Sequence, residues 1–387
     1  MTPASLWRPI ADRHFRRCLQ TVRSAVRAAD LWRPGATVGW ACSGGADSVA
    51  GLLVCAALRK SLGHQIVVFH VDHGLAATSG EAVVLVQQLA AELGLGCRVA
   101  RVDLASPALG PALRAGTEAR PYPDTANASD AHPYPDTPAT APLPQLEARA
   151  RAARYAALAE MAAATGCTVL ATAHHADDQA ETLLLRLARG AGSDALAGIS
   201  QKRTDGVVRP LLGLSRADLR QILGDRPHWT DPSNAQLAHS RNRLRHLALP
   251  ALESALPGAA LGLARTAAVL AETRGGIDAW LDLALRHTVQ REALGLRVPR
   301  AAVPTDPAAL TLLIRWVAAQ LQAPLPSARA TSQFLALAAQ PGPSTMRAAG
   351  WQLVQTADAW QFVAATPKSP DDRQNPPGYV AQPRGAD

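Results

Sequence analysis

The stretch that decides the fold is residues 37–63, TVGWACSGGADSVAGLLVCAALRKSLG. Its first part, 37–43, is a short apolar run that predicts a buried strand, and 46–63 has the length and composition of a helix. The glycines between them let the backbone turn tightly and approach a ligand closely. The following helix directs its N–H groups and the positive end of its dipole at that ligand. A strand, a glycine loop and a helix in this order predict a phosphate-binding site.

The side chains of the loop SGGADS suit such a site. Ser43 and Ser48 offer hydroxyl donors, while Asp47, an anion, would reach a phosphate through a bridging Mg²⁺. The lysine that completes the loop G-x-x-x-x-G-K-[ST] is absent. An ordinary strand–helix turn with Gly and a Ser or Asp cap is the structural alternative. Ser-Gly-Gly-x-Asp-Ser between a buried strand and a helix is more specific than such a turn.

The sequence beyond the loop continues to alternate strands and helices. It predicts an α/β fold, a doubly wound and mostly parallel sheet, followed by a smaller helical or α+β domain. The polar runs SGG, HVDH and HH lie at the C-terminal ends of predicted strands, at the edge where such sheets bind ligands. The further strands are predicted at 65–73, 97–104 and 167–175, and the further helices at 79–94, 144–166 and 177–190.

Changes in composition divide the chain into parts. The segment 105–143 repeats PYPDT at 121–125 and 133–137, and its Pro-, Ala- and Thr-rich composition predicts a disordered insertion. The remaining parts are predicted as a helical extension at 1–36, the α/β domain at 37–250, a helical linker with a small domain at 251–365, and a disordered tail at 366–387. Within the small domain, 307–322 is predicted as a helix and 351–364 as a hairpin.

The overall composition limits the class of protein. The 387 residues carry a net charge of +8, almost all of the positive charge being arginine, which favours an anionic partner. Five dispersed cysteines, none in a C-x-x-C pair, argue against a metal cluster and against a disulfide scaffold. An N-terminus without an apolar signal region and a chain without a long apolar run predict a cytoplasmic protein that does not span a membrane.

Acidic side chains with helical spacing follow the fourth strand. In HHADDQAET, His174, Asp178 and Glu181 recur at i, i+4 and i+7, which predicts one helical face. Two carboxylates on that face could hold a cationic amine or a metal ion. Asp177 is interpreted as a cap that complements the helix dipole.

Arginines cluster in two later segments, EARARAARY (147–155) and HSRNRLRH (239–246). In the first, Arg151 is interpreted as part of a solvated face. In the second, Arg241, Arg243 and Arg245 cannot all lie on one face of a helix, so they are not expected to share one role.

Several of these motifs, in this order, carry a resemblance to a known family. SGGADS resembles the loop of the N-type ATP pyrophosphatases, the PP-loop superfamily. HVDHGL, EARARAARY, HHADDQAETLLLRLARGAG, RPLLGLSRADL and DPSNAQLAHSRNRLRH together resemble the bacterial tRNA(Ile)-lysidine synthetases. The resemblance covers 37–250 apart from the insertion, and continues more loosely to about 365, where it implies a tRNA substrate-binding domain.

The resemblance implies ATP and Mg²⁺ as cofactors, and free lysine and tRNA(Ile) with a CAU anticodon as partners. The implied reaction ligates lysine to the wobble cytidine through an adenylated intermediate and releases AMP and pyrophosphate. The alternatives are a tRNA thiolase of the same superfamily and an RNA-binding module with a decayed site. The oligomeric state stays open, with a homodimer as one alternative.

The resemblance also implies roles for individual residues. The carboxylates of the helix would hold the substrate lysine and assist its deprotonation, and Arg241 would act on the reacting phosphates or the tRNA backbone. The implied catalytic residues are Asp47 (also the metal ligand), His174, Asp178, Glu181 and Arg241; the implied nucleotide-binding residues are Ser43, Gly44, Gly45, Ala46, Asp47, Ser48, His70, Arg149 and Arg154.

Overall fold

A computed structural model describes residues 12–72, 79–102, 143–231, 240–293, 295–323, 328–338, 342–348 and 351–364. The described chain forms two compact units, Met1–Ala271 and Glu272–Asp387. The predicted boundary lies earlier, at residue 250. Residues 105–142 of the predicted insertion and the whole predicted tail lie outside the described residues.

The first unit is an α/β structure. Its strands are β1 (Thr37–Ala41), β2 (Gln65–Asp72), β3 (Gly96–Arg101), β4 (Val169–Ala171) and β5 (Val207–Val208). They form one sheet in the order β3-β2-β1-β4-β5, in which every neighbouring pair is parallel. The parallel sheet confirms the predicted fold class.

The helices of the first unit are α1 (Arg13–Ala28), α2 (Ala46–Leu62), α3 (Ser79–Glu92), α4 (Leu143–Ala164), α5 (Ala176–Ala188), α6 (Ser193–Leu196), α7 (Arg216–Leu223), α8 (Ser240–Arg243), a π-helical turn (Leu244–Ala248), α9 (Leu249–Ala255) and the start of α10 (Ala259–Leu285).

The central strand explains why residues 37–63 dominate the fold. β1 pairs with β2 on one side and β4 on the other, so it is an apolar run rather than an alternating one. Trp40 is fully buried, and its indole Nε1 donates to the Ser48 carbonyl at 3.0 Å. This bond ties the central strand to the first turn of α2, and therefore fixes the loop between them.

Close packing of α2 against the sheet makes Gly51 a sensitive position. A Cβ atom there would lie 2.5 Å from Leu211 Cδ1 and 2.6 Å from Trp40 Cζ2. We expect Gly51→Ala to lower the free energy of unfolding by roughly 1–3 kcal/mol, because both neighbours are buried and cannot yield. Gly262→Ala is the matched control, since only the tip of Arg265, at 3.9 Å, comes near.

The control variant should gain up to about 1 kcal/mol from the better helix propensity of alanine. Urea denaturation of both variants measures the difference. Equal stability of the two would contradict the tight contact of α2 with the sheet.

The N-terminal helix packs on this unit. α1 buries Phe15 and Val22 on one face, within the same apolar cluster as α2 and α7. His14 Nε2 lies 2.8 Å from Asp218 Oδ1 in α7, and Arg17 Nη2 donates to the same oxygen at 2.9 Å. The segment predicted as a helical extension is thus held to α7 by both apolar and charged contacts.

Two strand predictions differ from the structure. The strand predicted at 167–175 is shorter, because the chain leaves the sheet after Ala171 and α5 begins at Ala176. β5 was not predicted, because two residues are too few to show a periodicity. The other predicted strands and helices of this unit are present with their ends shifted by a few residues.

The second unit contains an antiparallel sheet in the order β6-β7-β10-β9-β8. The predicted hairpin at 351–364 is confirmed by the antiparallel pairing of β9 with β10. Trp360, Phe362 and Phe334 are fully buried in its core. The elements are β6 (Gln290–Glu292), β7 (Gly295–Pro299), a 3₁₀ turn (Arg300–Ala302), α11 (Pro307–Gln320), α12 (Ala328–Ala338), β8 (Ser344–Ala348), β9 (Trp351–Gln355) and β10 (Ala359–Ala364).

Among the described residues, no single helix is long and apolar enough to cross a membrane. Two consecutive segments together have the length and apolar composition of a membrane span, Ser240–Ala255 and Ala259–Leu285, but a bend of 99° separates them.

Candidate active site

The loop between β1 and α2 is held by its own hydrogen bonds. The hydroxyl groups of Ser43 and Ser48 lie 3.2 Å apart, and Ser48 Oγ donates to the Gly45 carbonyl at 2.9 Å. Gly44 has φ +83°, which favours glycine, and its carbonyl accepts from the Trp229 N–H at 2.8 Å. These contacts fix the shape of the loop.

The start of α2 suits an anion. Ala46 is the first residue of the helix, and its N-cap Gly45 makes no side-chain capping bond. Helix N-termini present N–H groups that have no intrahelical partner, together with the positive end of the dipole. The predicted loop residues Ser43 to Ser48 are thus brought together around one helix N-terminus.

His175 connects Asp47 of this loop to α5. The side chain of His175 is 1% exposed, and its Nε2 lies 3.4 Å from Asp47 Oδ2 and 3.6 Å from Asp178 Oδ2. Its Nδ1 lies 3.5 Å from Asp177 Oδ2. Burial opposes a charge on the ring, but the three carboxylates outweigh it and raise the pKa of His175 to about 9. Burial likewise opposes the charge of Asp47, yet the hydrogen bond and charge of His175 lower the pKa of Asp47.

The start of α5 corrects two interpretations of HHADDQAET. His174 precedes the helix rather than sharing a helical face with Asp178 and Glu181, because His175 is the N-cap. Asp178, not Asp177, caps α5, since its Oδ2 accepts from the His175 N–H at 3.0 Å. Asp177 Oδ2 instead accepts from the N–H of Arg216, the first residue of α7, at 2.7 Å.

His174 is nevertheless close to the acidic side chains. Its Nδ1 lies 2.9 Å from Thr172 Oγ1. Burial, together with the nearby charges of Arg209 and Arg241, outweighs the effect of Asp178 and lowers the pKa of His174 to about 3. In this state His174 is therefore a neutral imidazole at pH 7.

Asp178 and Glu181, named here the acidic pair, bind arginines on later elements. Arg241 donates from Nε to Glu181 at 2.7 Å and from Nη2 to Asp178 at 3.0 Å. Arg245 donates from Nε to Glu181 at 2.7 Å and from Nη2 to Asp178 at 3.1 Å. Arg216 Nη2 lies 3.2 Å from Glu181 Oε1. Burial works against the charge of Asp178, but His175 and Arg241 hold its pKa well below the ordinary value.

The spacing of Arg241 and Arg245 explains their shared contact. They lie four residues apart, on one side of a helix that continues from α8 into the π-helical turn. Arg243 lies off this side and donates to Ser240 Oγ at 3.1 Å. The expectation that the three arginines do not share one role holds for Arg243. Arg241, which the resemblance assigned to phosphate or tRNA, here contacts carboxylates.

The other predicted nucleotide-binding residues are one buried histidine on β2 and two exposed arginines on α4. His70 is buried at the end of β2, with Nδ1 2.9 Å from the Cys42 carbonyl, and burial lowers its pKa. Arg149 and Arg154 are exposed on α4. The α4 side chain that influences His174 is Arg151, whose guanidinium stacks on Tyr155 at 5.2 Å. Arg151 is exposed, as interpreted from the sequence, and it also stacks on a ring of its own helix. His73 lies outside the described residues.

Four residues of the network were not predicted as site residues. His175 and Arg245 carried usable signals, because one adjoins His174 and the other lies four residues after Arg241. Arg151 carried a weaker signal, because it lies within the arginine-rich segment EARARAARY. Arg216 carried none, because its partner Glu181 is 35 residues away.

The raised pKa of His175 predicts a pH-dependent stability. Because the pKa in the folded protein exceeds the ordinary 6.5, the contribution is complete below pH 6.5 and is lost as the pH rises through 9. We expect a loss of about 2 kcal/mol between pH 6.5 and 8.5. Urea denaturation at both pH values measures it, and His175→Gln should abolish most of the difference.

His64→Gln is the matched control for this experiment. His64 is also buried, but burial and Arg59 lower its pKa to about 4, so it does not titrate in that interval. The control should keep the full pH dependence of the wild type. A pH dependence that survives in His175→Gln would contradict a protonated His175.

Comparisons with known proteins show the family of this chain. Residues 14–122 and 129–252 match the family model of the PP-loop domain. The U34-tRNA thiolase NcsA from Methanococcus maripaludis has a similar fold, with a TM-score of 0.50 and 16% identity over 67% of this chain and 79% of that one.

Two relatives are more similar in sequence, and both are named tRNA(Ile)-lysidine synthase. The protein of Thermobifida fusca (strain YX) is 37% identical over 290 residues, which cover 72% of this chain and 78% of the relative. That of Salinispora tropica is 38% identical over 274 residues, which cover 68% and 71%. The chain is an enzyme of the tRNA(Ile)-lysidine synthase family, built on a PP-loop domain.

Proposed function

We propose that the protein ligates lysine to the wobble cytidine of tRNA(Ile) with a CAU anticodon, at the expense of ATP. The names of the relatives support the substrates. The observation that carries the proposal is that one side chain, His175, separates two sites. One site is the phosphate loop, and the other is the buried acidic pair. Such an arrangement can place a nucleotide next to an amine.

In the proposed first step, the cytosine carbonyl oxygen attacks the α-phosphorus of ATP. The bond from that phosphorus to the bridging oxygen breaks, and pyrophosphate leaves. The role of the loop is to hold the departing pyrophosphate with the N–H groups of α2 and the hydroxyls of Ser43 and Ser48. This role requires no lysine of the G-K-[ST] type.

Asp47 is the residue that would hold Mg²⁺. Its carboxylate is partly exposed beside the loop, its oxygens are hard donors, and its contact with His175 is a long one of 3.4 Å. The ion, when bound, neutralises charge on the phosphates. The oxygens of the nucleotide would complete its coordination.

In the proposed second step, the side-chain amine of lysine attacks the activated carbon. The new C–N bond forms, the C–O bond breaks, and AMP leaves. The acidic pair binds the ammonium group, and the amine must lose a proton before it attacks. His174 is a weak base with a pKa of about 3, and the negative charge of a neighbouring phosphate would have to raise that pKa before His174 could take the proton.

Incubation with ATP, radiolabelled lysine and the CAU-anticodon transcript tests the proposal. We expect label in the tRNA, and none when ATP is omitted or when a methionine tRNA replaces the substrate. Absence of label with the isoleucine transcript would disprove lysine ligation.

The thiolase alternative finds no support at the cysteine nearest the loop. Cys42 is 2% exposed, and burial raises the pKa of its thiol to about 11. A thiol in this state is a poor nucleophile at neutral pH. Cys42 is therefore not expected to carry sulfur to tRNA.

A further inference from the structure

The acidic pair already has more positive than negative neighbours. Its two carboxylates contact the guanidinium groups of Arg216, Arg241 and Arg245, and Glu181 is 0% exposed. With the protonated ring of His175, which contacts Asp47, Asp177 and Asp178, the network holds four cations and four carboxylates, so a substrate ammonium would give it a net positive charge. Like charges repel strongly where water cannot screen them. A cation must therefore leave before an ammonium group can bind.

Arg241 is the arginine best placed to leave. Its side chain is 43% exposed, against 22% for Arg245 and 16% for Arg216. Arg241 and Arg245 also duplicate each other, because each donates Nε to Glu181 and Nη2 to Asp178. When Arg241 departs, both carboxylates keep an arginine partner. Arg216 is additionally held through its backbone N–H by Asp177.

The phosphate loop offers a destination for the displaced guanidinium. The ring of His175 lies 3.4 Å from Asp47 in the first turn of α2 and 3.6 Å from Asp178. A triphosphate at that helix N-terminus would bring several negative charges near Arg241. Guanidinium groups bind phosphate oxygens in a bidentate manner, so the exchange replaces one strong partner with another.

We propose that Arg241 and a substrate ammonium group are alternative partners of the acidic pair, and that bound nucleotide draws Arg241 to its phosphates. Its departure opens the acidic pair to the ammonium group of the substrate. This inference rests on the proposed function, in which that substrate is lysine. It makes nucleotide binding and lysine binding mutually favourable, each tightening the other by the same factor.

Equilibrium dialysis of radiolabelled L-lysine against the full chain tests the exchange. The dissociation constant is measured with Mg²⁺ alone and with Mg²⁺ plus an ATP analogue that carries a methylene bridge between the α and β phosphates. We expect the analogue to tighten lysine binding by about tenfold or more in the wild type. Arg241→Gln should bind lysine without nucleotide at least as tightly as the wild type does with it, and the analogue should then change little.

Two further variants sharpen the test. Arg243→Gln removes a neighbouring arginine that contacts Ser240, and should keep the tenfold effect of the wild type. Arg241→Lys preserves the charge and should keep most of the coupling. Equal lysine affinity of the wild type with and without the analogue would overturn the exchange, as would weaker nucleotide-free binding in a folded Arg241→Gln variant.

The outcome separates the exchange from the proposed function. If the wild type transfers lysine to tRNA but shows no coupling, only the exchange fails. If it transfers no lysine, the proposed function itself fails. The wild-type comparison decides the point even where Arg241→Gln does not fold, as judged from its circular dichroism.

Discussion

Glu181→Gln should reduce lysine transfer to tRNA roughly 100- to 10,000-fold. Glu181 is fully buried and is the shared partner of Arg216, Arg241 and Arg245. The amide keeps the shape of the side chain but cannot bind an ammonium group as an anion. It also leaves buried guanidinium charge uncompensated, which should lower the free energy of unfolding by about 3 kcal/mol. Single-turnover transfer assays and urea denaturation measure the two effects.

Glu160→Gln is the control for this change. Glu160 is an exposed residue of α4, so its substitution should alter transfer by less than about twofold and stability by less than about 0.5 kcal/mol. A Glu181→Gln variant with the activity and stability of this control would show that the buried contacts have no role in either property.

The parallel sheet was predictable because its signals are local. Within residues 37–63, a mostly apolar strand, a loop with two adjacent glycines and a helix of 17 residues follow one another without a break. Only a central strand covered on both faces has that composition. β5 was not predicted because its signal is not local. Val207 and Val208 pair with β4, which is distant in sequence, and no pattern in the neighbouring residues indicates a strand.

The candidate site was predictable only in part. Motifs identified Asp178, Glu181 and Arg241 separately, but no spacing rule joins residues that are 60 or more positions apart. The pairing of carboxylates with arginines is a property of the folded chain. His175 was overlooked for a related reason, because its charge arises from three carboxylates that only the fold assembles around it.

Asp47→Asn should lower tRNA-dependent ATP–pyrophosphate exchange by roughly 100- to 1,000-fold. The change removes the negative charge beside the phosphate loop, and with it the proposed ligand of Mg²⁺. Stability should fall by only about 1 kcal/mol, because His175 keeps its contacts with Asp177 and Asp178. Asp225→Asn, an exposed residue after α7, is the control and should leave exchange unchanged. Near-normal exchange in Asp47→Asn would remove this residue from the first step.

The two assays together assign Asp47 and Glu181 to different steps. Pyrophosphate exchange reports the first step, which needs the loop but no lysine, whereas lysine transfer reports both steps. Asp47→Asn should therefore lose both activities to a similar extent. Glu181→Gln should lose far more transfer than exchange, because the acidic pair acts on the amine. An equal loss of both activities in Glu181→Gln would mean that the acidic pair already serves the nucleotide, and that the two sites on either side of His175 work as one.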